Sequence, residues 1–376
     1  MTVNDARNPL RRADDSFPPS ARRFADEALL EAARRIGLLA QMTPFDFEGE
    51  VRAFAEALSK KKRSPLSYRY EYAPRASSDL GSVLLRLARE WEGTSPIAAL
   101  YAERARELAL EAAMCEARET PRLRLLARER FAVDEGLGRR ADALARAWIE
   151  GGAAARAAEA LIASDDGSDP RSLVSRLREE LGKERLAFKV VVSAKLAALA
   201  AVGDRTIQVA SGRLVSPSAI ERTVRHEIDG HAKPLARAAE RALGLLRVGT
   251  ARGSDHQEGW ALLVEDRFGH LGPERKLEIG LRHLAARAAH DGRDPFDAAT
   301  ELLTMSERIE LVARSVCRAY RGGGFGREAA YLPAFVAVDE ALAEEPALEA
   351  VLTSGRVSVA AARVLLEVLP RALRLS

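Results

Sequence analysis

The chain has 376 residues, 47% of them apolar and 30% charged, and its 58 basic and 55 acidic side chains leave a net charge of +3. That near-balance gives no case for nucleic acid, no stretch reaches the roughly 18 uninterrupted apolar residues of a membrane-spanning helix, and two distant cysteines, Cys115 and Cys317, make neither a disulfide framework nor a cysteine-type zinc site. Ala, Leu and Arg dominate while aromatics are only 5%, which favours a mostly helical protein.

Residues 1–19 are polar and Pro-containing and are expected to form a disordered arm. They carry no apolar core, so they do not read as a secretory signal, and the expected location is the cytoplasm. A helical part is expected over 20–165. Its first helix runs to about Gln41, with Phe24, Ala28, Ile36 and Leu39 set in a charged background. Thr43-Pro44 reads as the cap and first turn of a second helix, ending in the basic run Lys60-Lys61-Lys62-Arg63. That run reads as a solvated helix end. Ser64 to Pro74 is extended, and its alternating Tyr68, Tyr70 and Tyr72 read as core or strand-edge packing ahead of ligand stacking. Helices follow at about 79–91, 96–119, 138–150 and 152–163.

The polar run Ser164 to Pro170 separates this half from a catalytic part over 166–376. After a helix at about 170–182, Leu186 to Val192 and Thr206 to Ala210 read as strands. Ser216-Pro217 then starts a helix that carries His226. Helices at about 234–247, 256–268, 273–290, 294–319, 327–343 and 357–374 complete the chain, interrupted by Gly322-Gly323-Gly324. The fold class is therefore α+β, mainly α with a small sheet. A metal helix directly after a small sheet suits a zincin-like peptidase, in which an edge strand holds extended substrate beside the metal.

His226-Glu227-Ile228-Asp229-Gly230-His231 concentrates two of the chain's six histidines. A Glu beside one of two clustered histidines is the sequence form of a zinc peptidase site: imidazoles as ligands, Glu as general base toward a water. The spacing is one residue longer than the common i, i+4. Five α-helical steps turn a side chain by about 140°, four by about 40°. The helix must therefore bulge into π geometry or end inside the motif, and Gly230 and Pro234 stand where that is tolerated. A third ligand is needed, and Glu258 in Asp255-His256-Gln257-Glu258-Gly259-Trp260-Ala261 is the best candidate. Taken alone, Glu258 reads better as a carboxylate at a helix start, stabilised by the macrodipole.

His-Glu-Ile-x-x-His followed by Gln257-Glu258-Gly259-Trp260-Ala261 resembles the bacterial QEGLA-motif family, which includes the microtubule-associated tyrosine carboxypeptidases. Arg314 to Tyr331, Pro65 to Tyr72 and Pro96 to Leu108 resemble it too, so the likeness spans about residues 20–345. It implies a zinc-dependent carboxypeptidase with His226, His231 and Glu258 as ligands, Glu227 as base, and a peptide or protein C-terminus as substrate. Trp260 replaces the family's usual Leu, and Gly326-Arg327-Glu328-Ala329 replaces a Thr-Lys-Asp run, so tyrosine specificity is not carried over.

Such an enzyme needs an oxyanion donor, for which Tyr331 comes before Tyr320, His256 and His283. It also needs a site for the terminal carboxylate. Arg321 with Gly322, Gly323 and Gly324 is one candidate and Arg327 a second, although Arg321 serves equally well as a helix cap. Asp229 reads either as support to a ligand histidine or as a solvent-facing acid. Two other readings stand beside the peptidase: a metal-dependent amidase on a small amide or isopeptide, and a non-catalytic regulatory protein that keeps the metal. The sequence does not fix the oligomeric state.

Overall fold

A computed structural model describes residues 17–70, 78–152, 160–194 and 196–368. Most of the expected N-terminal arm, Tyr72, and the end of the last expected helix lie outside the described residues. Phe17, however, is buried and packs edge-on against Trp91.

Among the described residues six longer helices precede the strands: α1 (Pro19–Ile36), α2 (Phe47–Ser59), α3 (Ser78–Trp91), α4 (Pro96–Glu116), α5 (Pro121–Arg130) and α6 (Glu135–Gly151). Where local chemistry is strong it sets their starts. Ser95 Oγ accepts from Ala98 N at 3.1 Å behind Pro96, and Asp134 accepts from Leu137 N at 2.8 Å. Thr43 departs from expectation. Its hydroxyl donates back to Leu39 O, so α2 begins four residues later at Phe47. Most of the helix expected over 152–163 lies outside the described residues, and its end is a short strand, β1 (Ile162–Ala163), which pairs with Val215 and Leu214.

α7 (Leu173–Lys183) leads into β2 (Lys189–Ser193), β3 (Ala200–Val202) and β4 (Thr206–Ala210), and β5 (Leu214–Val215) pairs with β1. The order is β2-β4-β3, with β2 parallel and β3 antiparallel to β4, so β2 and β3 are the edges. β3 is a strand that sequence pattern does not reveal, since Ala-Ala-Val has no polar–apolar alternation. Ile207 and Val209 of β4 bury against Leu173 and Leu177 of α7 and against Val224 and Ile228, which ties the sheet to the motif. By area, each such side chain contributes about 1.5–3 kcal/mol.

The motif lies in one helical run: α8 (Pro217–Arg225), a π-helical segment (His226–Ala232) and α9 (Lys233–Glu240). Then come α10 (Gly253–Arg267), α11 (Pro273–His290), α12 (Pro295–Leu303), α13 (Ile309–Gly324), a 3-10 turn (Arg327–Ala330), α14 (Tyr331–Glu344) and α15 (Val359–Val368). The single helix expected over 294–319 is broken between α12 and α13. There the Thr304 hydroxyl bonds to Glu301 O and Ser306 Oγ accepts from Arg308 N, competing with the helical ladder. Leu29 of α1, Leu108 of α4, Leu262 of α10, Phe335 of α14 and Leu365 of α15 share one core. Both cysteines are buried, and neither forms a disulfide among the described residues. No described helix is long and apolar enough to cross a membrane.

Candidate active site

Ser216 Oγ accepts from Ala219 N and Pro217 occupies the first turn, which fixes the start of α8. Two turns later the helix loosens into π geometry at His226. Pro234 has no N–H to give to the carbonyl four residues back, on Gly230, and in a regular helix its ring would collide with that carbonyl. Bonding i to i+5 removes the conflict and stacks residues five apart on one face. Of the two distortions expected, the structure has the bulge. His226 Nε2 and His231 Nε2 lie 3.2 Å apart as a result. Gly230 lets α10 come close: a Cβ there would sit 2.5 Å from Ala261 Cβ.

α10 brings the third donor. Glu258 is in its second turn, not at its start, so the macrodipole reading loses its basis. Glu258 Oε2 is 3.7 Å from His226 Nε2 and 4.0 Å from His231 Nε2. The three donor atoms all lie within 4.8 Å of one another. Donors about 2.0–2.1 Å from a tetrahedral ion stand roughly 3.4 Å apart, so this set fits zinc with little movement. Beside it, Glu227 is buried and its Oε2 has no hydrogen-bond partner among the described residues. Trp260 Nε1 donates to Asp229 O at 3.3 Å, so the residue that departs from Leu pins α10 to the π segment.

The charges around the set are ordered. His226 Nδ1 donates to Glu265 Oε1 at 2.7 Å, which leaves Nε2 as the atom facing Glu258 and His231. Arg275 grips both oxygens of Glu265 at 2.9 Å. Burial opposes charge on His226, but bonds to Glu258 and Glu265 outweigh it and raise the ring to about 10. Burial takes His231 down to about 4, so that ring is neutral and free to ligate. Burial pushes Glu227 up to about 7, reinforced by Glu258 and Glu265 and opposed by His226. Glu258 is held well below the usual carboxylate range: burial works against this, but the His226 bond and Arg327 prevail. Asp229 supports neither histidine. It pairs with Arg225 at 3.3 Å and Lys233 at 2.6 Å.

These groups open onto a cavity of about 830 Å³ whose wall includes β3 and Gly203. Tyr331 lines it under the Arg327 guanidinium, 5.3 Å from the ring centroid, and burial keeps its hydroxyl protonated. The other expected oxyanion donors are elsewhere. Tyr320 donates to Arg293 O, His283 pairs with Asp142, and His256 Nδ1 accepts from Val359 N. Arg321 and Arg327 both reach the cavity, but each is engaged: Arg321 with Arg318 O and Glu328, Arg327 with Glu258 Oε1 at 3.2 Å. Gly322 and Gly323 do not line it. The chain leaves helical geometry at Arg321–Gly323, where Gly322 N donates to Tyr70 OH, so the expected anion nest lies away from the cavity and one of its N–H groups is taken.

Sequence reasoning missed Glu265, Arg275 and Arg356. Glu265 had a signal: it stands seven residues after Glu258, two turns along the same face of α10. Arg275 and Arg356 had none, because only the tertiary fold carries them to the site.

A family model described as microtubule-associated tyrosine carboxypeptidase matches residues 53–373. No curated protein matches the chain. A crystal structure from Colwellia psychrerythraea, described as a candidate lipoprotein, is similar at 12% identity and a TM-score of 0.46, over 84% of this chain. The matched part spans 66% of that protein's length, just under two thirds.

Proposed function

The chain belongs to the microtubule-associated tyrosine carboxypeptidase family, and from that membership we propose that it is a zinc-dependent carboxypeptidase with a zincin-like core. One observation carries the reading. Two imidazole nitrogens and one carboxylate oxygen converge within 4.8 Å, and the partnerless oxygen of buried Glu227 stands beside them.

His226, His231 and Glu258 would hold the ion. Bound there, zinc supplies Lewis acidity, lowering the pKa of a water and polarising a carbonyl. Glu227 takes the proton of the attacking water on Oε2 and delivers it to the leaving amine nitrogen. Tyr331 donates from its hydroxyl to the carbonyl oxygen as negative charge builds on it. Glu265 and Arg275 hold the His226 ring in orientation. β3, an edge strand among the described residues, lines the cavity with Glu227 and offers an extended peptide a register. That edge supports a peptide over a small closed amide, and the wide cavity beside three ligands supports an enzyme over a structural metal.

Glu227→Gln tests the assignment. The variant should retain about one equivalent of zinc by elemental analysis. Hydrolysis of a C-terminally varied peptide mixture, followed by mass spectrometry, should fall by about 100- to 10,000-fold. Full activity in that variant removes Glu227 from the role.

A further inference from the structure

Among the described residues ten arginines line the cavity. Nine have a partner. Arg213 and Arg314 hold Glu48, Arg275 and Arg282 hold Glu278, Arg318 and Arg321 hold Glu328, and Arg327 holds Glu258. Arg118 donates to Gln41 O, and Arg222 stands 3.9 Å from Glu265. Arg356 is the exception: among the described residues its guanidinium makes no hydrogen bond or ion pair, although the residue is mostly buried. An unpaired cation in such a place is costly, and a bound anion would relieve the cost.

The backbone of Arg356 is, in contrast, tightly held. Its carbonyl accepts from Thr250 N at 2.9 Å, and Thr250 Oγ1 accepts from Ser358 N at 2.9 Å. Gly253, the first residue of α10, makes this docking possible, since a Cβ there would sit 2.0 Å from Arg356 O. The segment is thus fastened to the start of the helix that supplies Glu258. Arg356 shares the cavity wall with Ser254, Gln257 and Glu258 of that helix and with His231. Burial and the nearby Arg104 and Arg327 disfavour its charge, and Asp204 and Glu258 offset this only in part without pairing with it, so an incoming negative group would complete the balance.

We propose that Arg356 binds the C-terminal carboxylate of the peptide substrate and so restricts the site to chain ends. This rests on the carboxypeptidase reading, and it replaces Arg321 and Arg327, which are occupied. A planar guanidinium fixed at its backbone presents two parallel N–H groups to a carboxylate, which a side-chain amide cannot reproduce. A terminal amide would forfeit the charge-assisted bonds.

The test uses the zinc-loaded full chain and two mixtures of hexapeptides varied at the last two positions, one as free acids and one as C-terminal amides. Wild type should cleave acids over amides by about 10- to 100-fold in kcat/KM. Arg356→Gln should bring that ratio near one with unchanged zinc content, and Arg356→Lys should give an intermediate value. A ratio measured within one preparation does not depend on the active fraction, so partial misfolding cannot imitate the result. If Arg356→Gln keeps the wild-type ratio, or wild type cleaves both mixtures equally, the assignment of Arg356 is overturned. If wild type cleaves neither mixture, the carboxypeptidase reading itself fails and the assignment with it.

Discussion

Two charged clusters meet on α10, and they are built to different ends. On one side Asp255 joins Arg130, Arg104, Glu107 and Glu111 in a buried knot, with Arg130 bonded to Asp255 at 2.8 Å and to Glu111 at 2.9 Å. Three residues later Glu258 faces His226, His231 and the cavity. None of the residues in the first cluster lines the cavity. Both clusters are rich in ionised groups withdrawn from water. The difference is access: both hold buried atoms with no partner among the described residues, Asp255 Oδ1 and Arg104 Nε in the knot and Glu227 Oε2 beside the histidines, but of these three residues Glu227 alone lines the cavity. Burial and ion pairing alone do not distinguish an active centre from a structural brace, but access to unsatisfied atoms does.

The sharpest way to break this contrast is Arg130→Met. Removing one member of a buried ionic network leaves uncompensated carboxylates, so the unfolding free energy should drop by about 3–5 kcal/mol in urea titrations. The folded fraction should still bind a full equivalent of zinc. Loss of zinc without loss of stability would place Arg130 in the active centre instead.

A smaller effect is expected at Glu265, the residue that links the His226 cluster to the protein interior. Glu265→Gln should weaken zinc affinity by about 10- to 100-fold in chelator competition, because such partners orient and polarise a ligand ring. An unchanged affinity would mean that the π turn alone positions His226.

The smallest effect is a pH slope. In metal-free protein the bonds to Glu258 and Glu265 raise the folded His226 ring, against burial, to about 10, well above the ordinary imidazole value of about 6.5. A raised value stabilises the fold fully below about 6.5 and loses that contribution as pH climbs through about 10. Chelated wild type should therefore lose urea stability from pH 7 to 10 more steeply than His226→Gln.

Local chemistry made part of this legible beforehand. Ser216-Pro217 announces α8, Thr206–Ala210 is a strand over the expected residues, and one surplus residue between two histidines requires a distorted helix. What escaped is what only tertiary packing creates. Glu265 looks like one more charge on a helix until Arg275 and His226 close around it. Tyr320, His283 and His256 looked available because sequence cannot show that Arg293 O, Asp142 and Val359 N already engage them. Arg356 lies far along the chain from the motif, and nothing beside it in sequence hints at Thr250.

The π segment has a consequence for chain length. Pro217 to Glu240 is one helical run with a phase shift in its middle. Deleting one residue between Glu227 and His231 would restore i, i+4 spacing and a regular helix, and the two rings could still share a face. Because the two rings would still share a face, the buried Pro234 and Ala238 would keep their phase toward the core, but the Pro234 ring would then meet the carbonyl four residues before it. The extra residue is thus held in place by Pro234. A substitution in the motif is judged by the metal site, whereas a deletion there also calls for a replacement of Pro234.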